Sequence, residues 1–355
     1  MKKIFTVMLA GSLLLGLVGC AQETESTENE KDNERKVGIV YTVSGKGDLS
    51  FNDAAYEGIV RARDELGVIV DEIEPASLAD TEQTIEDMSA DGGYDLIIGI
   101  TYEALDPVNK IAPNYPDQKY ALVDCETGMD NVVSYIAREN ESAFMMGCLA
   151  GLMQNDTENS MINDENAVGV IGAMDAEVVN KHIAGYMSGA QYVNPDIEVF
   201  YDYSGDFSDT AAAQALAETM HNNGADIIYN AAAASGLGIF RAAEDNQFMA
   251  IGLDSNQNSL HPDNIVASSL KKVDEFVYEA IKDVLEDEFK GGQSFSLGLK
   301  EEGVGYTFED SNIEVPEDIK SSLEEIQTMI INGELEVPAV IDDVETFLEN
   351  NTYTQ

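Results

Sequence analysis

Short runs of β-branched and aliphatic residues alternate with helix-periodic stretches along most of the chain, and few folds accommodate such an order. Val37–Tyr41 has the apolar pattern of a buried strand. Asp53–Leu66 follows with Ala54, Ala55, Ile59, Ala62 and Leu66 at helical spacing, and Gly67 is a natural stop. Val68–Val70, Leu96–Ile100, Tyr120–Val123 and Val132–Ile136 read as further strands. Between them Thr81–Met88, with Asp80 as N-cap and Gln83 at its third position, and Tyr102–Ile111 read as helices. A second set begins with a helix over Ser142–Gln154 and a strand over Ala167–Ile171. It continues with helices over Ala176–Gln191, Thr210–Asn223, Gly238–Glu244 and Val273–Phe289. Its other strands are Ile197–Tyr203, Ile227–Tyr229, Met249–Gly252 and Ile265–Ala267. Buried strands alternating with amphipathic helices give parallel sheets covered on both faces. Two sets in a row give an α/β chain of two doubly wound lobes, with ligands expected beyond the carboxyl ends of the strands.

The N-terminus sets the compartment. Lys2 and Lys3 precede an apolar run from Ile4 to Val18, which ends in Leu17-Val18-Gly19-Cys20. A short positive start, a short apolar core and small residues before a cut describe an export signal over residues 1–20. The run is short for a bilayer span of roughly 20 residues. The Leu-x-Gly-Cys ending looks like a bacterial lipobox, in which Cys20 is acylated and becomes the new N-terminus. An acylated cysteine holds a protein on a membrane without spanning it, each buried methylene contributing about 0.8 kcal/mol. Residues 21–35 are polar and charged after Ala21, and read as a disordered tether. The folded part is thus expected on the extracytoplasmic face of the cell membrane, anchored only through lipid.

The chain has 355 residues, and 67 acidic against 19 basic ones give a net charge of −48. A surface this negative repels nucleic acid and anionic headgroups, so neither is an expected partner. The acidity also suits a salty habitat, where self-repulsion is screened. Cys125 and Cys148 fit no zinc spacing and read as buried free thiols, although an oxidising compartment permits a disulfide. His182, His221 and His261 stand apart, each read as a surface or satisfied histidine. There is no HExxH, CxxC or GxSxG, and no metal, cofactor or catalytic residue is assigned.

The strand ends carry recognition chemistry. Gly45–Asp53 after the first strand is neither GxGxxG nor GxxxxGK[ST], so it is a poor phosphate cradle. It does supply Phe51 and Asn52, and Phe51 alone reads as a packing staple onto the following helix. Asp124 follows the fourth strand, Phe207 lies in the turn after Ile197–Tyr203, and Asp254 and Lys271 follow two later strands. Ala231–Gly238 is a small-residue entry to a helix that allows close backbone approach. Two rings can sandwich a planar base, while carboxylates accept from base N–H groups or sugar hydroxyls and a lysine donates.

Gly47-Asp48-Leu49-Ser50-Phe51-Asn52-Asp53 and Ala55-Tyr56-Glu57-Gly58 resemble the basic membrane protein family of bacterial lipoproteins, which includes purine nucleoside receptors of ABC importers. The likeness continues through Ala121–Asp124, Gly205–Asp209, Ile251–Asp254, Ser269–Lys271, Gly303-Val304, Asn332-Gly333 and Val337-Pro338. It implies a type I periplasmic-binding-protein fold whose lobes are joined by hinge strands. One lobe is expected over 36–142 plus about 272–295, the other over about 143–271 plus 296–355. It implies that Phe51 and Phe207 sandwich the base, that Asn52 and Asp124 contact its edge, that Asp254 and Lys271 hold the ribose, and that Gly236 lines the site by backbone. The sequence departs from the family at Ala233-Ala234, where glycines are common, which leaves the fit of the sugar open. The expected function is capture of a nucleoside, with purines favoured, by a monomer that delivers it to ABC permease subunits. A sugar or other small solute, a sensing role, and an exported nucleosidase built on Asp48, Asp53 and Asp124 are the alternatives.

Overall fold

Residues 35–156 and 159–353 are described by a computed structural model. The expected export signal, Cys20 and the tether up to Glu34 lie outside the described residues. Arg35, counted with the tether, is tied to the fold: its guanidinium donates to the Val284 carbonyl at 2.9 Å and pairs with Asp95 at 3.3 Å.

The first apolar runs form β1 (Lys36–Val40), β2 (Ile69–Ile73), β3 (Leu96–Ile100), β4 (Tyr120–Val123) and β5 (Val132–Ala137). They alternate with α1 (Phe51–Leu66), α2 (Leu78–Asp91) and α3 (Leu105–Ile111). The next stretch runs through α4 (Glu139–Met153), β6 (Ala167–Gly172), α5 (Glu177–Val193), β7 (Glu198–Tyr203), α6 (Thr210–Asn222) and β8 (Ala225–Ala231). It continues with α7 (Leu237–Asn246), β9 (Met249–Gly252), β10 (Ile265–Lys271) and α8 (Val273–Leu285). The last elements are β11 (Ser294–Leu297), β12 (Val304–Thr307), α9 (Glu317–Ile331) and α10 (Val344–Asn350).

Two six-stranded sheets result, ordered β11-β5-β4-β3-β1-β2 and β12-β10-β9-β8-β6-β7. Every pairing is parallel except β10 with β12, so the expected doubly wound α/β class is present twice. The central strands are buried along their length, as continuous apolar runs require when helices cover both faces. The chain passes between the sheets after β5, again before α8, and again between β11 and β12.

Four glycines set one packing feature that matters for the site. A Cβ on Gly147 of α4 would stand 2.1 Å from the Tyr186 carbonyl of α5, and one on Gly189 would stand 2.1 Å from that of Phe144. Gly151 and Gly185 meet the facing helix as closely, at 2.7 and 2.3 Å. Backbone-to-backbone contact along this seam locks the start of α4 beside the second turn of α5.

Some boundaries differ from expectation. α2 starts three residues early, because Ser77 accepts from the Asp80 backbone N–H and is the cap, leaving Asp80 in the first turn. α1 starts at Phe51, two residues early, and Asp48 accepts from the backbone N–H groups of Ser50, Asn52 and Asp53. α8 ends at Leu285, four residues short of Phe289, as Asp287 turns left-handed (φ 60°). Cys125 and Cys148 are free and buried.

Candidate functional site

The carboxyl ends of both sheets open onto one cavity of about 890 Å³. Four non-glycine residues on its wall hold positive φ just beyond a strand: Thr101 after β3 (64°), Asp124 after β4 (62°), Ala233 after β8 (49°) and Asp254 after β9 (63°). Such conformations cost about 1–3 kcal/mol each and persist where the surroundings fix them. Two of them, Asp124 and Asp254, carry carboxylates that line the cavity. The Asp124 N–H donates to the Tyr135 carbonyl at 2.8 Å, and the Lys271 N–H donates to the Asp254 carbonyl at 2.9 Å.

Lys271, the last residue of β10, is the centre of the polar floor. Its Nζ bonds to Asp124 of the first sheet and to Glu139 Oε1 at 2.8 Å. All three side chains are at most 4% exposed. Lys181, on α5, pairs with Glu139 Oε2 at 3.7 Å across the glycine seam. Burial alone would lower the Lys271 pKa, but the Asp124 and Glu139 carboxylates outweigh it and hold the ammonium above its ordinary value. Burial pushes Glu139 the other way, yet Lys271 and Lys181 keep it below the usual carboxylate range. Asp124 lies above that range because burial outweighs Lys271 there. Its Oδ1 is buried and accepts no hydrogen bond from the protein. Asp254 is raised to about 6, by burial first, with Lys271 and the Ser50 hydroxyl opposing.

Phe51, at the start of α1, and Phe207, in the turn after β7, both line the cavity, one from each sheet. Lys271 Nζ lies 5.0 Å from the Phe51 ring centroid, within cation–π range. Asn52 lines the cavity too, but its amide is engaged internally. Its Nδ2 donates to Asp48 Oδ2 at 2.8 Å and Thr42 Oγ1 at 2.9 Å, while its Oδ1 accepts from the Thr42 N–H at 3.1 Å. Gly236 is not on the wall. Its α-hydrogens face Asn230, whose Oδ1 is 2.0 Å from where a Cβ would stand, and Ala231 and Ala233 are the residues of that segment that reach the cavity.

Of the residues singled out in the sequence, Phe51, Asn52, Asp124, Phe207, Asp254 and Lys271 thus converge on one cavity. Glu139, Lys181 and Ser50 are not legible in the sequence, because each meets its partner at the site only through a contact more than 40 residues away in the chain. His182 is buried on the wall and satisfied, its Nδ1 2.9 Å from the Tyr229 hydroxyl. Burial lowers it to about 4, so it is neutral at physiological pH. Among the described residues no cluster of His, Cys, Asp or Glu side chains suits a metal ion, and no helix is long and apolar enough to cross a membrane.

Two predominantly parallel sheets turning their strand ends to a shared cavity, with aromatic faces and paired charges, define a binding protein for a small solute. The model described as ABC transporter substrate-binding protein PnrA-like (Bmp) matches residues 36–340, and the chain belongs to this family. An uncharacterized lipoprotein of Pyrococcus abyssi is 36% identical over 311 residues, covering 84% of this chain and 74% of its own. Basic membrane protein A of Borreliella afzelii is 29% identical over 85% of this chain and 91% of its own. The crystal structure of an ABC transporter solute-binding protein from Aeropyrum pernix K1 superposes with a TM-score of 0.80 and 34% identity, covering 89% of this chain and 97% of that one. The chain is therefore a substrate-binding protein rather than an enzyme, of a kind that takes a small molecule and works with ABC permease subunits.

Proposed function

We propose that this protein captures nucleosides, purine nucleosides foremost, between its two sheets and their helices acting as closing lobes, and passes them to its permease as a monomer. The observation that carries the reading is the pairing of Phe51 and Phe207, contributed by different sheets to one cavity. A base between the two rings draws on offset stacking, about 0.5–1.5 kcal/mol per ring pair. Asp124 keeps a buried oxygen free to accept from a base N–H. Asp254 and Lys271, adjacent through backbone at the edge of the second sheet, suit ribose hydroxyls. Asn52 acts by shaping the 42–48 turn against α1, with its amide turned to the protein. Ala233 narrows the side on which the sugar lies.

The protein is held at the outer face of the cell membrane by acylation of Cys20, a reading supported by the Leu17-Val18-Gly19-Cys20 ending and by the lipoprotein relatives. Intact mass of the membrane-extracted protein tests the anchor: a diacylglyceryl mass on the N-terminal cysteine is expected, and an unmodified Cys20 rules it out. Calorimetric titration with nucleosides, free bases and pentoses tests the ligand. Nucleosides are expected to bind more tightly than either fragment, and equal affinity for a pentose would move the site to the sugar class.

A further inference from the structure

We propose that the mouth of the cavity sorts ligands by charge, rejecting a nucleoside that carries a phosphate and admitting one that carries an ammonium group, with Glu103, Glu126 and Glu177 as the specificity-determining residues. The inference rests on the nucleoside reading above and extends it to the ligand's periphery.

The argument is one of charge balance on the cavity wall. Asp48, Asp124 and Asp254 lie on the buried floor. Glu103, Glu126, Glu177 and Asp206 stand further out, the last three without appreciable burial. Against these seven carboxylates the described lining residues offer two ammonium groups, Lys181 and Lys271. Both are committed, since Lys271 bonds to Asp124 and Glu139, and Lys181 faces Glu139 Oε2 at 3.7 Å. His182 adds no charge, as its buried ring is hydrogen-bonded to the neutral Tyr229 hydroxyl. No arginine lines the wall to grip a phosphate by its fork. These outer carboxylates come from the segments that follow β3, β4, β6 and β7, Glu177 from the first turn of α5, so both sheets contribute to the mouth.

Between them the mouth is apolar. Val43, Leu78, Tyr102 and Met174 line it with 38% or more of their surface exposed, at 41%, 56%, 45% and 42%. Low-dielectric walls strengthen the repulsion felt by a phosphate dianion, which would also lose its hydration there. A cation on the ligand meets the opposite field. Nucleotides would then reach this protein only after phosphate-ester hydrolysis, in which water adds to phosphorus and the nucleoside leaves with its hydroxyl oxygen.

Calorimetry on the full chain in neutral detergent at low salt decides the matter. The probes are adenosine and guanosine, their 5′-monophosphates and their 5′-amino-5′-deoxy analogues. Monophosphates are expected to bind about 100-fold more weakly than the nucleosides, and the amino analogues as tightly or more so. In about 1 M salt the Debye length drops to about 3 Å, so the gap should shrink. In the triple variant Glu103→Gln, Glu126→Gln, Glu177→Gln the ratio of nucleoside to monophosphate affinity should narrow about tenfold. Monophosphates binding as well as nucleosides would overturn the proposal. So would a gap that neither salt nor the variant alters, because it would then be steric. If the triple variant does not fold, the salt series on the unaltered chain still separates these causes. Failure of both nucleosides to bind would instead remove the nucleoside reading, and this inference with it.

Discussion

The Ser50 hydroxyl donates to Asp254 Oδ2 at 2.6 Å, joining the loop that leads into α1 to the loop after β9. Two more bonds share the bridge: Ser255 Oγ and Gln257 Nε2 both donate to the Leu49 carbonyl, at 2.9 and 2.8 Å. The contact ties the two sheets together at the cavity and places a buried carboxylate in it. Between pH 3.8 and about 6 the native state keeps the Asp254 proton that the unfolded chain has released. Stability therefore falls as pH rises through that window and stays lower above it. Asp254→Asn removes this penalty while its side-chain oxygen still accepts from Ser50. Urea unfolding should show the variant more stable at pH 7 by about 1–3 kcal/mol, the advantage fading toward pH 4. An advantage independent of pH would show that Asp254 ionisation is not its source.

Lys271 satisfies two buried acids at once. Lys271→Met leaves Asp124 without a cation and Glu139 with Lys181 alone, at 3.7 Å, and should cost about 3–5 kcal/mol. Asp124→Asn should cost less, because Lys271 still pairs with Glu139 at 2.8 Å. Denaturant midpoints compared for the two variants check this order, and the reverse order would place the critical pairing elsewhere.

Much of this arrangement could be read before the fold was known, and the reasons are local. Asp124, Asp254 and Lys271 are legible because a polar residue directly after an apolar run must lie at a strand end. β11, β12, α9 and α10 lie outside the elements that the sequence pattern predicts. β11 is a four-residue edge strand, SFSL, half-exposed, and its partner β5 lies about 160 residues earlier, so short-range pattern carries little of it. α9 did have a signal, with Ile319, Leu323, Ile326 and Ile330 buried at helical spacing. Glu139 and Lys181 were illegible for a different reason. Each is an ordinary helix residue until the glycine seam of α4 and α5 sets them side by side. The engagement of the Asn52 amide depended likewise on how Thr42 and Asp48 fold back on it.

Phe207 is half-buried whereas Phe51 is 8% exposed and part of the core beneath β1. Phe207→Ala should cost about 1–3 kcal/mol in nucleoside affinity, by the measure of base stacking on aromatics, with a small loss of stability. Phe51→Ala should lose both affinity and about 3–5 kcal/mol of stability. Calorimetric titration beside thermal unfolding separates the two, and unchanged affinity in Phe207→Ala would remove that ring from the site.

Ala233 holds φ 49° on the cavity wall, a conformation that glycine adopts freely. Ala233→Gly should stabilise the fold by up to about 1 kcal/mol, strain relief exceeding the added freedom of the unfolded chain. It should also ease the fit of a ribose relative to 2′-deoxyribose, read as the ratio of affinities for adenosine and deoxyadenosine. A destabilised variant would show that the backbone at this position is not strained.

The central claim is that the cavity between the two sheets takes a nucleoside. The most direct test is a thermal-shift panel on the full chain in neutral detergent, covering nucleosides, free bases, nucleotides and sugars. A ligand present at 100 times its dissociation constant stabilises the native state by about 2.7 kcal/mol, a readily measured shift. Stabilisation by nucleosides above all other classes is the expected result. Stabilisation by sugars in their place, or by none of the nucleosides, would contradict it.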